Sequence, residues 1–183
     1  MKIGSVCSGI EAASVAKPDH WFMAWFSEIE PFPCAVLKHH YPTTPNHGNM
    51  TKLPNLIANG DVEAPDILVG GTPCQAFSVA GKRLGLEDAR GNLTLTFCDI
   101  ADAVDKKRNE NGQQPSIVFW ENVPGVLSDK QNAFGCFLAQ LVGEEEPLVP
   151  PGKRWENAGV VYGPARSVAW RILDAQYFGL AQR

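Results

Sequence analysis

The stretch that decides the fold is residues 66–75, DILVGGTPCQ, in which a short apolar run ends in a turn of glycine, threonine and proline. Short apolar runs bounded by turn-forming residues are typical of buried strands in an α/β sheet. Three further runs of this kind lie at residues 2–7 (KIGSVC), 21–27 (WFMAWFS) and 116–120 (SIVFW). We predict that all four are parallel strands of one sheet.

The segments between these runs have helical spacing or the composition of a loop. Five of them are predicted to be helical, namely residues 10–17, 31–40, 92–107, 131–142 and 166–175. Residues 143–165 are rich in glycine, proline and charge, which is typical of a long loop. Strands that alternate with helices predict an α/β fold, with a mostly parallel sheet covered by helices on both faces.

The composition and charge of the chain argue against several classes of protein and site. The five cysteines are odd in number and include no Cys-x-x-Cys pair, which argues against a disulfide framework and against a zinc site. No apolar run approaches the length of a membrane span and no signal peptide is evident, so we expect no membrane association and a cytoplasmic protein. The net charge of −4 indicates no broad basic face. The basic cluster at residues 106–108 is interpreted as a solvated helix end.

The carboxyl ends of the predicted strands carry a distinctive set of residues. In open α/β sheets, ligands bind beyond these strand ends, which here carry Gly9, Glu28, the turn at 70–75 and Glu121. Such folds place a carboxylate like Glu28 on a ribose hydroxyl. The residues after Gly9 lack the further glycines of a pyrophosphate-binding turn. These features favour a nucleoside cofactor without a pyrophosphate, such as S-adenosylmethionine.

Two of these strand ends carry residues suited to covalent chemistry. Cys74 lies in a Gly/Pro turn, where backbone geometry and not core packing holds it. A free thiol has a pKa of about 8.5, so only a few per cent is the nucleophilic thiolate near neutral pH. Glycines at 81, 85 and 91 are typical of a mobile loop. Glu121 follows an apolar strand, and we predict partial desolvation that raises its pKa and lets it donate a proton to a ring nitrogen.

These residues resemble the motifs of the DNA cytosine-5 methyltransferases. Residues 73–93, PCQAFSVAGKRLGLEDARGNL, resemble the catalytic loop of that family, and the Glu-Asn-Val at 121–123 resembles its second catalytic motif. Four shorter segments resemble the cofactor motifs and the glutamine-arginine motif, and they are CSGIEAA (7–13), FSEIEPF (26–32), GNMTKL (48–53) and FGLAQR (178–183). The residue sequences of these segments are most similar to those of bacteriophage or prophage members of the family.

The resemblance implies a Rossmann-like methyltransferase fold and a covalent mechanism. A cytosine of double-stranded DNA would be flipped out, attacked at carbon 6 by Cys74, held at nitrogen 3 by Glu121 and methylated at carbon 5 from S-adenosylmethionine. The implied catalytic residues are Cys74, Gln75, Glu121 and Asn122. The implied cofactor-binding residues are Cys7, Gly9, Glu28, Ile29, Asn49, Met50, Pro73 and Leu93. No metal is implied, and the family's setting is DNA methylation and restriction-modification.

The chain departs from the family pattern in several places. Cys7 stands where an aromatic residue is common, Glu11 and Ala12 where glycines are common, and Asn49 where aspartate is usual. The chain also stops inside the glutamine-arginine motif. We therefore expect residues 1–183 to be the N-terminal part of a catalytic and cofactor-binding domain, without a target-recognition domain. We expect no sequence-specific methylation by this chain alone, and self-association or a partner chain at the exposed sheet edge.

Three other interpretations stay open at this level. A non-catalytic remnant or partner subunit would keep the fold but not methylate DNA by itself. A nucleotide-dependent oxidoreductase is disfavoured by the missing glycines after Gly9. A cysteine hydrolase would need a histidine base for Cys74, and no histidine follows His47.

Overall fold

The computed structural model describes residues 1–73 and 92–179. Within these residues the chain forms two compact units, one of residues 1–73 and 92–122 and one of residues 123–179. The prediction that the whole chain serves as one catalytic and cofactor-binding domain concerns its function and stays a prediction.

The first unit contains a parallel sheet of four strands. These are β1 (Lys2–Val6), β2 (Phe22–Ser27), β3 (Ile67–Gly70) and β4 (Ile117–Trp120), in the order β2-β1-β3-β4. The sheet confirms the four predicted strands and their direction. The last residues are in register, because Val6 pairs with both Ser27 and Gly70, and Gly70 pairs with Trp120. All four carboxyl ends therefore lie along one edge of the sheet.

Two glycines allow close packing around β1. A Cβ atom on Gly4 would collide with the ring of Trp25, which is itself buried on β2. A Cβ atom on Gly70 would come within 2.5 Å of a methyl group of Val6 and 2.9 Å of the ring of Phe97. Any larger residue at these two positions would push the strands or the covering helix apart.

Within residues 1–73 and 92–122, the first unit has four helices. They are α1 (Ala12–Ala16), α2 (Pro31–His40), α3 (Leu53–Asn59) and α4 (Asn92–Glu110). The predicted α2 has the observed bounds, α4 runs three residues further, and α1 is shorter because Glu11, its N-cap, has a left-handed backbone. Neither α3 nor the 3₁₀ turn before it (Met50–Lys52) was predicted. The signal for α3 was present, since Leu53 and Ile57 are buried at helical spacing and Gly60 ends the helix at a φ of 85°.

The prediction that the basic cluster at residues 106–108, near the end of α4, is fully solvated is wrong for one of its residues. Arg108 is buried, and its Nε donates to the backbone oxygen of Gln114 over 2.6 Å. Its Nη1 lies 2.9 Å from a carboxylate oxygen of Asp66. A hydrogen bond from the backbone N of Lys2 and the interaction with Arg108 both lower the pKa of Asp66. Arg108 thus links α4 to the residue that precedes β3.

The second unit differs from its prediction. Helix α5 (Ala133–Val142) confirms the helix predicted at 131–142, but residues 143–165 are not one loop and residues 166–175 are not a helix. Strands β5 (Ala158–Tyr162) and β6 (Ser167–Arg171) instead form an antiparallel hairpin. The reason is the period of burial, because exposed and half-buried residues alternate strictly along both strands. A 3₁₀ turn at Ala175–Phe178 follows the hairpin.

An aromatic cluster forms the centre of the second unit. The ring of Phe134 on α5 meets Trp155 at 5.3 Å and Trp170 at 5.4 Å, edge to face in both cases. The indole N–H of Trp155 donates to Asn132 at the start of the helix over 3.0 Å. These contacts attach the hairpin to α5, which an isolated two-stranded hairpin needs for stability.

In residues 1–73 and 92–179, no helix is long and apolar enough to cross a membrane. Over the same residues, no group of three or more His, Cys, Asp or Glu side chains is placed to hold a metal ion.

Candidate cofactor and catalytic site

The turn after β1 has an unusual backbone. Cys7, Gly9 and Glu11 have φ values of 49°, 56° and 68°, so every second residue is left-handed. Glycine adopts this conformation freely, whereas each of the other two residues is strained by about 1–2 kcal/mol. The turn points the N–H of Gly9 at the end of β2, where it donates to Glu28 Oε2 over 2.8 Å.

The Glu28 carboxylate is held in one place by three backbone N–H groups. Besides the bond from Gly9, its Oε1 accepts from Ile29 at 2.7 Å and from Glu30 at 2.8 Å. The side chain is buried among these groups. A carboxylate can accept about four hydrogen bonds, so roughly one further donor can be accommodated. The structure therefore brings together Gly9 and Glu28, two residues that the sequence placed in the same site.

Cys7 and Met50 form an uncharged sulfur contact beside this carboxylate. The two sulfur atoms are 3.5 Å apart, and Met50 is buried. Burial, and after it the negative charge of Glu28, raise the pKa of Cys7 to about 11. Cys7 is therefore a neutral thiol near neutral pH and presents an apolar surface. Asn49 is exposed, and its side-chain oxygen accepts from Thr51 over 3.0 Å, capping the 3₁₀ turn.

The turn after β3 is fixed through Thr72, which is buried. Its hydroxyl accepts from the indole N–H of Trp120 at 2.9 Å and lies 2.7 Å from the hydroxyl of Thr94. Its backbone oxygen accepts from the side-chain amide of Asn122 at 2.9 Å. The start of the predicted catalytic loop is thus bonded to the end of β4 and to α4, and Asn122 supports this turn.

Glu121 lies over the same turn. Its backbone N donates to Gly70 over 3.0 Å, and a Cβ atom on Gly71 would be 3.1 Å from its Oε2. Its side chain is exposed, so the predicted desolvation is wrong. The reason is that β4 is the outermost strand of the described sheet, and its own Phe119 is 54% exposed. The carboxylate is consequently open to an incoming molecule.

The predicted set contains five further residues. Pro73 and Ile29 are exposed, and Leu93 is half-buried near the start of α4. Cys74 and Gln75 lie outside the described residues. The proximity of Cys74 to Glu121 therefore stays a prediction, although the structure places Glu121 next to Gly71, three residues before Cys74.

Comparison with known proteins identifies the family. The family model described as C-5 cytosine-specific DNA methylase matches residues 1–145. The chain belongs to the C-5 cytosine-specific DNA methylase family. A solved structure of a DNMT2 mutant from Spodoptera frugiperda is 26% identical and superposes with a TM-score of 0.51 over 77% of this chain and 41% of that one. This likeness confirms the predicted α/β methyltransferase fold.

Two curated relatives of this methylase chain are similar over most of its length. A protein of Escherichia phage P1 named DNA N-6-adenine-methyltransferase is 54% identical over 98% of this chain and 27% of the phage protein. The Type II methyltransferase M.NgoBV of Neisseria gonorrhoeae is 36% identical over 85% of this chain and 31% of that enzyme. The chain thus spans less than a third of either relative.

Sequence reasoning missed the structural importance of two residues in this methylase chain. Asn46 belongs to no recognisable motif, and it reaches Glu28 only because the folded loop brings the two residues together. In the sequence, Glu11 stands out only as a replacement for glycine, yet it is 1% exposed and its Oε1 accepts from Ser14 N over 3.2 Å. Its Oε2 has no hydrogen-bond partner in the described part of the chain. Burial raises the pKa of Glu11.

Glu11→Gln is expected to change how stability depends on pH. Because the pKa of Glu11 is raised in the folded state, its contribution is fully present below its ordinary pKa and is lost as pH rises through the raised value. Glutamine has no charge to desolvate, so the melting temperature of the variant should rise relative to the parent between pH 4 and pH 7. We expect a relative gain of a few degrees, since about 1 kcal/mol corresponds to about 2–4 °C at this size.

Thermal unfolding followed by circular dichroism measures this difference. Glu145→Gln, at an exposed position of the second unit, is the matched control and should show no such trend. Parallel melting curves for Glu11→Gln and the parent at every pH would show that Glu11 is not an energetically costly carboxylate.

Proposed function

We propose that this chain is the S-adenosylmethionine-binding and catalytic part of a DNA methyltransferase acting on carbon 5 of cytosine in double-stranded DNA. One observation carries the proposal. The Gly9–Glu28 hydrogen bond and the Glu121 carboxylate lie at the same carboxyl edge of the sheet, beside the turn that leads to Cys74. Membership of the C-5 cytosine-specific DNA methylase family supports this use of the edge.

The residues at the edge fit S-adenosylmethionine better than a dinucleotide. In dinucleotide folds, N–H groups of the first turn bind the pyrophosphate. Here the N–H of Gly9 is already bonded to the Glu28 carboxylate, and a second anion would be repelled from it. S-adenosylmethionine has no phosphate and carries a positive sulfonium. Glu28 retains capacity for a ribose hydroxyl, and half-buried Cys7 and exposed Ile29 offer apolar surface for adenine.

The proposed chemistry divides between Cys74 and Glu121. The Cys74 thiolate forms a bond to carbon 6 of a flipped cytosine. The Glu121 carboxyl group, in its protonated form, donates a hydrogen bond to ring nitrogen 3, which takes up the displaced electrons. S-adenosylmethionine, when bound, would supply the methyl group that carbon 5 takes up, and the electrons of the broken sulfur–methyl bond would stay with S-adenosylhomocysteine. The carbon 5 proton then leaves to a base, and its electrons restore the ring double bond as the bond between sulfur and carbon 6 breaks. This sequence returns the free Cys74.

The phage P1 relative is named a DNA N-6-adenine-methyltransferase, which supports a second candidate, methylation of adenine at N-6. The name describes a protein of which this chain spans 27%, whereas the C-5 cytosine model matches 145 residues of the chain itself. We therefore propose cytosine as the target of this segment. The non-catalytic remnant or partner subunit is the other alternative that a product assay can distinguish.

A chimaera tests the proposal directly. Residues 1–183 replace the matching segment of the phage P1 relative, and the purified chimaera is incubated with S-adenosylmethionine and mixed-sequence duplex DNA. Nucleoside mass spectrometry is expected to find 5-methylcytosine, which a chimaera with Glu121→Ala should not produce. N-6-methyladenine as the sole product would overturn the cytosine assignment. No product, together with intact cofactor binding by calorimetry, would establish a non-catalytic segment.

A further inference from the structure

The side chain of Asn46 forms hydrogen bonds with both the backbone N and the backbone O of Glu28. We propose that Asn46 is a positioning residue for Glu28 and, through it, for the ribose of S-adenosylmethionine. The inference rests on the proposed function, because it assumes that Glu28 binds this cofactor. It adds a residue that belongs to none of the motifs and that does not itself contact the cofactor.

The side-chain amide of Asn46 extends the parallel pairing between its loop and β2 by one more pair of hydrogen bonds. Two backbone bonds join its loop to β2, because Phe26 N donates to Pro45 over 2.9 Å and His47 N donates to Phe26 over 2.8 Å. Beyond them, Glu28 N donates to Asn46 Oδ1 at 3.0 Å, and Asn46 Nδ2 donates back to Glu28 O at 3.1 Å. In a parallel sheet, two separate peptide groups of the neighbouring strand would supply this pair of bonds, as they do for Phe26.

Only an amide satisfies all the partners of this side chain. Its Oδ1 also accepts from Gly48 N at 3.1 Å, and its Nδ2 lies 3.3 Å from the sulfur of Cys34, which itself donates to Glu28 O at 3.2 Å. Two acceptor sites and two donor hydrogens are thus all used, which is the full capacity of an asparagine. Aspartate would direct a negative oxygen at the carbonyl of Glu28.

Asn46 is itself exposed and not part of the hydrophobic core. Its effect is therefore local. It fixes the backbone from which the Glu28 carboxylate reaches Gly9, and through Gly48 it holds the chain immediately before Asn49 and Met50. Hydrogen bonds to a ligand need their acceptor within about 0.5 Å of the productive position, so releasing this backbone should weaken cofactor binding without unfolding the protein.

A double-mutant cycle on the purified chain tests the inference. Calorimetric titration with S-adenosylmethionine is expected to show about ten-fold weaker binding for Asn46→Ala than for the parent. In a Glu28→Ala background the same change should alter the affinity less than about two-fold, because the group that it positions is gone. Asn55→Ala, an exposed asparagine on α3, is the matched control and should bind like the parent.

A second measurement needs no cofactor. Hydrogen exchange of the Gly9 amide, followed by NMR, should be faster in Asn46→Ala, which loosens the bond to Glu28 Oε2, and in Glu28→Ala, which removes that acceptor. A general loss of structure would instead raise exchange throughout the sheet and lower the melting temperature.

The possible outcomes separate this inference from the proposed function. If the parent chain binds no S-adenosylmethionine, the proposed function fails, and the inference fails with it whatever Gly9 shows. If the parent binds and Asn46→Ala binds equally well, only the inference is overturned. Equal losses in the parent and Glu28→Ala backgrounds would also overturn it, because Asn46 would then act independently of Glu28.

Discussion

Cys74→Ser should reduce the formation of 5-methylcytosine by at least about a thousand-fold. A serine hydroxyl is almost entirely un-ionised at neutral pH, whereas a few per cent of an ordinary thiol is thiolate. The enzyme would therefore lack the nucleophile that attacks carbon 6. The hydrogen-bonded turn at Thr72 and the Glu28 carboxylate would be unchanged. The measurement is nucleoside mass spectrometry of duplex DNA treated with the chimaera that carries residues 1–183 in the phage P1 relative.

Two controls make the loss specific to the nucleophile. Cys136→Ser removes a half-buried thiol from the second unit and should leave the product yield unchanged. Cys74→Ser should also bind S-adenosylmethionine as tightly as the parent. DNA containing 5-fluorocytosine should trap a covalent adduct with the parent chimaera and none with Cys74→Ser. Methyl transfer to carbon 5 that persists in Cys74→Ser would refute the nucleophilic role.

Glu28→Ala should weaken S-adenosylmethionine binding by about one to two orders of magnitude. A hydrogen bond to a charged group contributes roughly 1.5–3 kcal/mol, and about 1.4 kcal/mol corresponds to ten-fold in affinity. The structure adds a second cause, since removal of the carboxylate leaves the N–H groups of Gly9, Ile29 and Glu30 without their acceptor. Calorimetric titration of the purified chain measures the effect.

Glu30→Ala is the matched control for this change. Glu30 is an exposed carboxylate two residues away, so its removal alters the net charge equally without touching the Gly9 bond. It should bind the cofactor within about two-fold of the parent, because exposed charges contribute little. Equal affinities for Glu28→Ala and the parent would mean that Glu28 serves the turn after β1 and not the ribose.

The parallel sheet could be predicted from the sequence because buried strands leave a strong local signal. Residues 66–70 and 116–120 are continuous apolar runs that end in distinctive residues, and strand ends of a parallel sheet meet at one edge. That reasoning placed Gly9, Glu28 and Glu121 at the same edge, as the structure has them. The bounds of α2 were predicted for a similar reason, since its prolines are confined to the first turn.

Features that depend on neighbours in space could not be predicted in this way. The hairpin β5–β6 is only half-buried, and its glycines and short apolar stretches resemble loop composition. The exposure of Glu121 depends on the position of β4 in the sheet, which cannot be read from the amino-acid sequence of the strand itself. The role of Asn46 depends on a loop that returns to β2 from 18 residues away, and no spacing rule connects residues 46 and 28.

The aromatic cluster of the second unit gives that unit an optical signature of its own. Trp155 and Trp170 have ring centroids 5.7 Å apart with planes at 85°, whereas the other three tryptophans, Trp21, Trp25 and Trp120, belong to the first unit. Two indoles held so close in a fixed, chiral arrangement couple their electronic transitions. Near-ultraviolet circular dichroism can therefore follow the packing of the hairpin on α5 separately from the sheet. It would show whether the two units of this methylase chain unfold in one transition or in two.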